Sequence, residues 1–134
     1  MRRRGGDTER GFEIVPNSKR RVVGVKLWGM WDVPLALLYR DAVLQTFTEM
    51  GTSPWSVLLD ARLFPAQSDE VSRIRVELIS AGSMAGMVRI ASIVGTAVTR
   101  LQTNRVAEEG RVREFRFFDD EEEALEWLDG LNMR

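Results

Sequence analysis

The chain has 134 residues, 44% hydrophobic and 29% charged, with a formal net charge of −1. That is the composition of one ordinary globular domain, and no overall field selects nucleic acid or an acidic membrane. There is no cysteine and no histidine, which excludes disulfides and thiolate metal sites and removes the commonest general base and the usual physiological-pH switch.

No run approaches the roughly eighteen apolar residues that cross a bilayer. The arginines at the start are followed by Asp7, Glu9 and Arg10 rather than by an apolar signal segment, so a cytoplasmic protein is expected.

Residues 1–11 read as a disordered basic and polar tail, charged and carrying Gly5, Gly6 and Gly11 with nothing to bury. A single domain is expected over residues 12–134. Residues 12–15 form a short strand closed by the turn Pro16-Asn17-Ser18. Residues 19–28 alternate, with Val23, Val25 and Leu27 on one face, so the two segments pair as an antiparallel hairpin.

Asp32 is placed to cap a helix that tolerates Pro34 in its first turn and runs to about Met50, where Gly51 stops it. Residues 55–60 are a short apolar run that suits a central strand covered on both faces. Ser68-Asp69-Glu70, followed by Val71, Ile74 and Leu78 at helical spacing, starts a second helix that ends at Gly82 or Gly86.

Residues 87–94 form another buried strand. The third helix, residues 97–109, has the weakest apolar stripe, because Val98 and Leu101 lead into Gln102 and Arg105. Residues 113–118 alternate as a last strand near an edge, and residues 119–131 form a final helix with Ala124, Trp127, Leu128 and Leu131 on one stripe. After the opening hairpin, strict strand–helix alternation requires right-handed crossovers and a mostly parallel sheet. The expectation is an α/β fold with a mixed, mostly parallel five-stranded sheet flanked by about four helices.

Three stretches resemble the STAS superfamily, and within it the sporulation-stage-II-AA-like (SpoIIAA-like) domains of bacterial anti-sigma-factor antagonists. They are Val57-Leu58-Leu59-Asp60-Ala61-Arg62, similar to a central strand ending in an acid; Met87-Val88-Arg89-Ile90-Ala91-Ser92-Ile93-Val94, similar to the next strand; and residues 117–128, similar to the last strand and an acidic helix start before Ala-x-x-Trp-Leu. The resemblance spans residues 12–131. It implies a non-enzymatic bacterial regulatory module that binds a protein partner, kinase-like or another signalling protein, through the loop after the residue 55–60 strand and the start of the second helix. In those antagonists a phosphorylatable Ser or Thr begins that helix. Ser68 is the only hydroxyl residue in the corresponding loop, but the Asp-Ser-(Ser/Thr)-Gly setting is missing and Asp69-Glu70 follow instead.

The candidate partner-binding residues are therefore Trp31, Asp60, Arg62, Phe64, Ser68 and Asp69, with Ser68 also the candidate phosphosite. Each has a plainer role available. Ser68 serves as a helix N-cap, and acids already in the first turn would repel a phosphate. Asp60 lies at the carboxyl end of a parallel strand, where α/β folds place their sites, or simply anchors the following loop. Trp31 and Phe64 lie in connecting segments, where they either form an exposed interface or cap the core.

The run Asp119–Glu123 stabilises a helix start rather than holding a metal. Arg100, Arg105, Arg111 and Arg113 alternate with glutamates as a solvated face. No catalytic residue, cofactor or metal is expected, because only Lys19 and Lys26 could serve a Ser nucleophile and both lie on the hairpin. The alternative is a carrier or sensor of a small apolar, lipid-like ligand held between helices and sheet. The oligomeric state is left open.

Overall fold

The computed structural model describes the backbone of residues 1–132 and the side chains of residues 1–130. Residues 133 and 134, assigned above to the domain, and the Leu131 side chain of the last stripe lie outside the described part.

Its ten elements run β1 (Arg3–Gly6), β2 (Gly11–Asn17), β3 (Val22–Trp28), α1 (Val33–Met50), β4 (Trp55–Leu63), α2 (Asp69–Ala85), β5 (Met87–Val94), α3 (Ala97–Glu109), β6 (Glu114–Phe117) and α4 (Glu121–Asn132). They build one six-stranded sheet in the order β1-β2-β3-β4-β5-β6. The first two pairings are antiparallel, and β3 to β6 run parallel.

The strand count corrects the expected five. Arg3–Gly6, placed in the tail by its composition, pairs with β2 in the register Arg3↔Ile14 to Gly6↔Gly11. The segment has no apolar stripe of its own, so its order comes from elsewhere. Arg3 forms an ion pair with Glu49 of α1 and donates to Gln45 Oε1 (3.2 Å) and Thr46 Oγ1 (3.1 Å). Trp28 donates from its indole to Asp7 O at 2.8 Å, which ties down the turn after β1.

Three successive parallel crossovers step in one direction across the sheet, and the right-handed rule puts such helices on one face. The alternation of side chains follows. Val23, Val25, Leu27, Val57, Leu59 and Ile90 face the core shared with α1 and α2, while α3 packs beside α2. Only α4, which follows the last strand, is free to cross to the other face. There Ala124 and Leu128 pack on Val22, Leu58, Ala91 and Ile93.

Helix starts follow their local signals. Asp32, Ser68 and Thr96 each accept a backbone N–H from the first turn of α1, α2 and α3. Asp120 Oδ1 accepts from Glu123 N at 2.8 Å at the start of α4, where Glu121, Glu122 and Glu123 sit in the first turn. The acidic run is thus spent on a helix start.

Candidate functional site

Loops after β3 and β4 and the start of α3 meet at the carboxyl edge of the parallel strands, where sites in α/β sheets tend to form. Gln67 holds them together. Its side-chain Oε1 accepts from Trp31 N (2.8 Å), and its Nε2 donates to Gly29 O (3.1 Å) and Pro65 O (2.7 Å). Its own backbone is matched by Gln102 of α3: Gln67 N donates to Gln102 Oε1 (2.7 Å), and Gln102 Nε2 donates to Gln67 O (2.9 Å). Gly29 N also donates to Leu63 O at 3.0 Å, with Gly29 at φ +77°, a backbone conformation that favours glycine.

Gln67 is buried, and all its polar groups are satisfied. Neither glutamine was singled out as a site residue from the sequence. The readable signal was the polar side of the third helix, which turns out to point inward.

This clamp folds two of the expected contact residues into the core. Trp31 is 4% exposed and Phe64 2%. Their rings meet edge to face at 5.1 Å, and Trp31 continues the cluster to Tyr39 (5.0 Å) and Phe12 (6.1 Å). The Trp31 indole N–H donates to Trp28 O at 3.1 Å. The exposed-aromatic reading of Trp31 and Phe64 is therefore corrected: loops stapled by Gln67 place both rings under the sheet edge.

The other predicted residues fall on two sides of the loop. Asp60 receives two hydrogen bonds from the Arg62 guanidinium, at 3.1 and 2.9 Å, and one from Arg62 N at 3.2 Å. Partial burial raises the Asp60 pKa, but the Arg62 hydrogen bonds, the Arg62 charge and the Lys26 charge together outweigh it and hold the carboxyl below its ordinary value. Asp60, Arg62 and Lys26 line a groove of about 480 Å³ beside α4, on the face away from α1 and α2.

Ser68 and Asp69 lie exposed at the start of α2. Ser68 Oγ accepts from Val71 N at 3.2 Å, the capping bond anticipated above. The six expected contact residues thus divide among core, groove and helix start.

Apolar side chains not among those six occupy the surface. Leu63 is 69% exposed, Val98 65% and Leu101 73%. Leu63 and Val98 border a shallow depression of about 450 Å³ with Arg62, Pro65 and Thr96. Helix α3 is the cause. It turns Thr99, Thr103 and Val106 inward, with Gln102 on the clamp, and leaves Val98 and Leu101 in solvent. That inversion explains the weak apolar stripe in the sequence.

A second space lies between α1, α2 and the sheet. It is a partly open, mainly apolar chamber of about 60 Å³ bounded by Val25, Leu59, Leu78 and Ile90, with Tyr39 and Arg75 among its lining residues. Burial pushes the Tyr39 phenol up to about 12.

No family model matches the chain, and no curated protein matches it. A solved structure does: an uncharacterized protein from the DUF3478 family, described as having a SpoIIAA-like fold, from Shewanella loihica PV-4. The similarity has a TM-score of 0.65 at 16% sequence identity, covering 96% of this chain and 92% of that one. At that identity the likeness concerns architecture, and the fold of this chain is SpoIIAA-like, as the resemblance implied.

Proposed function

We propose that the protein is a non-enzymatic, cytoplasmic regulatory module of a bacterial cell that binds a protein partner at the loop-bearing edge of the sheet. The observation that carries this reading is the apolar patch of Leu63, Val98 and Leu101 beside the exposed Arg62 and Ser68. Large aliphatic groups held mostly in water add little burial to the fold, and contiguous exposed apolar groups rimmed by polar ones mark interaction sites. The partner surface therefore centres on Leu63 and α3 rather than on Trp31 and Phe64. Binding is favoured over catalysis because the chain offers no histidine or cysteine and its best-placed acid, Asp60, is held by Arg62.

Modification of Ser68 is the switch suggested by the fold resemblance. Its hydroxyl is exposed and caps α2, while Asp69 and Glu70 in the first turn oppose a phosphate. Ser68→Asp tests the charge without removing the cap, since Asp is as good an N-cap as Ser.

The test is affinity capture with cross-linking, using wild type, Leu101→Glu and Ser68→Asp. One protein cross-linked near residues 62–72 and lost with Leu101→Glu supports the module, and loss with Ser68→Asp adds the switch. Capture that survives Leu101→Glu removes the patch from the interface.

The chamber between α1, α2 and the sheet favours a second reading, a carrier or sensor of a small apolar ligand. Native mass spectrometry tests it: a retained organic adduct supports the carrier, and a clean apo mass after expression in rich medium counts against it.

A further inference from the structure

Two arginines are buried, and they are treated differently. Arg89 on β5 donates to Trp127 O at 2.6 Å, pairs with Glu114 at 3.0 Å and stacks over the Trp127 ring at 4.6 Å. Its charge is answered within the fold, by Glu114, and one of its donors by a backbone carbonyl. Arg75 on α2 is 5% exposed, yet among the described residues its guanidinium makes no hydrogen bond and no ion pair. It lies over the Phe64 ring at 5.1 Å, and Tyr39 is close enough to interact with it electrostatically. A ring face attracts a cation but neutralises nothing. A guanidinium carries five donors and a charge that does not leave at any physiological pH, so burying it without a counter-charge is costly.

Arg75 also lines the chamber, and Tyr39 lines it from the opposite helix. The Tyr39 hydroxyl makes no hydrogen bond among the described residues. Thr46, the other hydroxyl on the wall, is already engaged: it donates to Ala42 O (2.9 Å) and accepts from Arg3 (3.1 Å). A cationic residue and a tyrosine whose hydroxyl is unengaged thus line a space whose other walls, Thr46 apart, are apolar.

We propose that this chamber binds a short-chain monocarboxylate, its carboxylate held by the Arg75 guanidinium and the Tyr39 hydroxyl and its hydrocarbon end against Leu59, Leu78 and Ile90. This rests on the apolar-ligand reading above and gives that ligand a charge. A planar carboxylate matches the guanidinium fork through two parallel hydrogen bonds. A phosphate dianion would bring a second charge that nothing else on the wall answers. Water could accept some of the donors but would leave the charge unneutralised in a site with few polar partners.

Size points the same way. A cavity of 150 Å³ holds benzene, so a chamber of about 60 Å³ admits a headgroup and a short stub, with any longer chain running out through the open side.

The test uses propionate and its neutral counterpart propionamide, followed by methyl NMR shifts and thermal unfolding on wild type, Arg75→Met and Tyr39→Phe. Methionine keeps an unbranched apolar stem in place of that of Arg75 and leaves no buried charge, so the variant is expected to fold. The expected result is a saturable shift of the Leu59, Leu78 and Ile90 methyls and a raised Tm with propionate only. Arg75→Met should weaken binding about tenfold or more and Tyr39→Phe by a few-fold.

Equal binding of propionate and propionamide would overturn the charge recognition while leaving the apolar-ligand reading intact. Unchanged propionate affinity in Arg75→Met would overturn the assignment of the residue. Absence of a saturable shift with either compound up to roughly 50 mM would overturn the proposal itself, and the adduct measurement then decides the broader reading separately.

Discussion

On α3 a leucine, Leu101, is 73% exposed, and on the neighbouring α2 an arginine, Arg75, is 5% exposed. Each is the reverse of the usual placement, but the two reversals differ in consequence. An exposed leucine forgoes roughly 1.5–3 kcal/mol of burial and leaves the rest of the helix unaffected. A buried guanidinium with no anion is a standing cost that well-packed apolar residues of similar size would remove. The first kind of departure is tolerated cheaply at a surface and suits a docking patch. On the proposal above, a ligand anion offsets the second, whereas Arg89, equally buried, is paired with Glu114 inside the fold.

Four measurements put this contrast at risk. The largest effect is expected from Phe64→Ala, which removes a ring packed on Trp31 and under Arg75. It should cost about 3–5 kcal/mol in denaturant unfolding, and a cost below about 1 kcal/mol would return Phe64 to the surface.

Arg75→Met is expected to act in the opposite direction. In ligand-free protein it should stabilise by about 1–4 kcal/mol, read as a higher denaturation midpoint. Marked destabilisation would mean that Arg75 is answered inside the fold, as Arg89 is.

The chain has a single tyrosine, so its ultraviolet titration is unambiguous. Burial raises the folded-state pKa of Tyr39 to about 12, above its unfolded value. The corresponding stability is therefore complete at neutral pH and lost as pH rises through about 12. Phenolate absorbance should appear together with alkaline unfolding, whereas an independent transition near pH 10 would place the hydroxyl in solvent. Asp60 works at the other end of the scale. Its lowered pKa contributes stability above the usual carboxylate range, lost as pH falls below it.

The smallest effect on stability belongs to Leu101→Glu, expected within about 0.5 kcal/mol of wild type while abolishing partner capture. A larger loss would show that Leu101 supports the fold.

Most of the architecture was legible because its signals are local. Asp32 and Ser68 cap helices where short polar side chains precede apolar periodicity, and Gly51 and Gly86 close them. The alternation of β3 and the strand–helix order required a parallel sheet. The site was legible only in part. Ser68 as a cap and Asp60 at a strand end were readable, but the side chains that organise the loops, Gln67 and Gln102, lie 35 residues apart and carry no motif. Arg75 did leave a trace: it follows Val71 by four and precedes Leu78 by three, so it lies on the inward stripe of α2. A charge at a core position of a well-patterned helix is a signal that composition and motif searches pass over.

The order of elements from Gly11 onward, the caps of α1 and α2 and the parallel alternation were written in the sequence, because hydrogen-bonding termini and hydrophobic periods act within a few residues. Tertiary structure alone decided three things. It ordered Arg3–Gly6 as a sixth strand through Glu49, Gln45 and Thr46 of α1. It drew Trp31 and Phe64 under the sheet edge through Gln67. It also turned α3 so that its threonines face inward and its leucine faces water. Each depends on groups distant in sequence that meet only when the sheet has formed, and no local pattern encodes such a meeting.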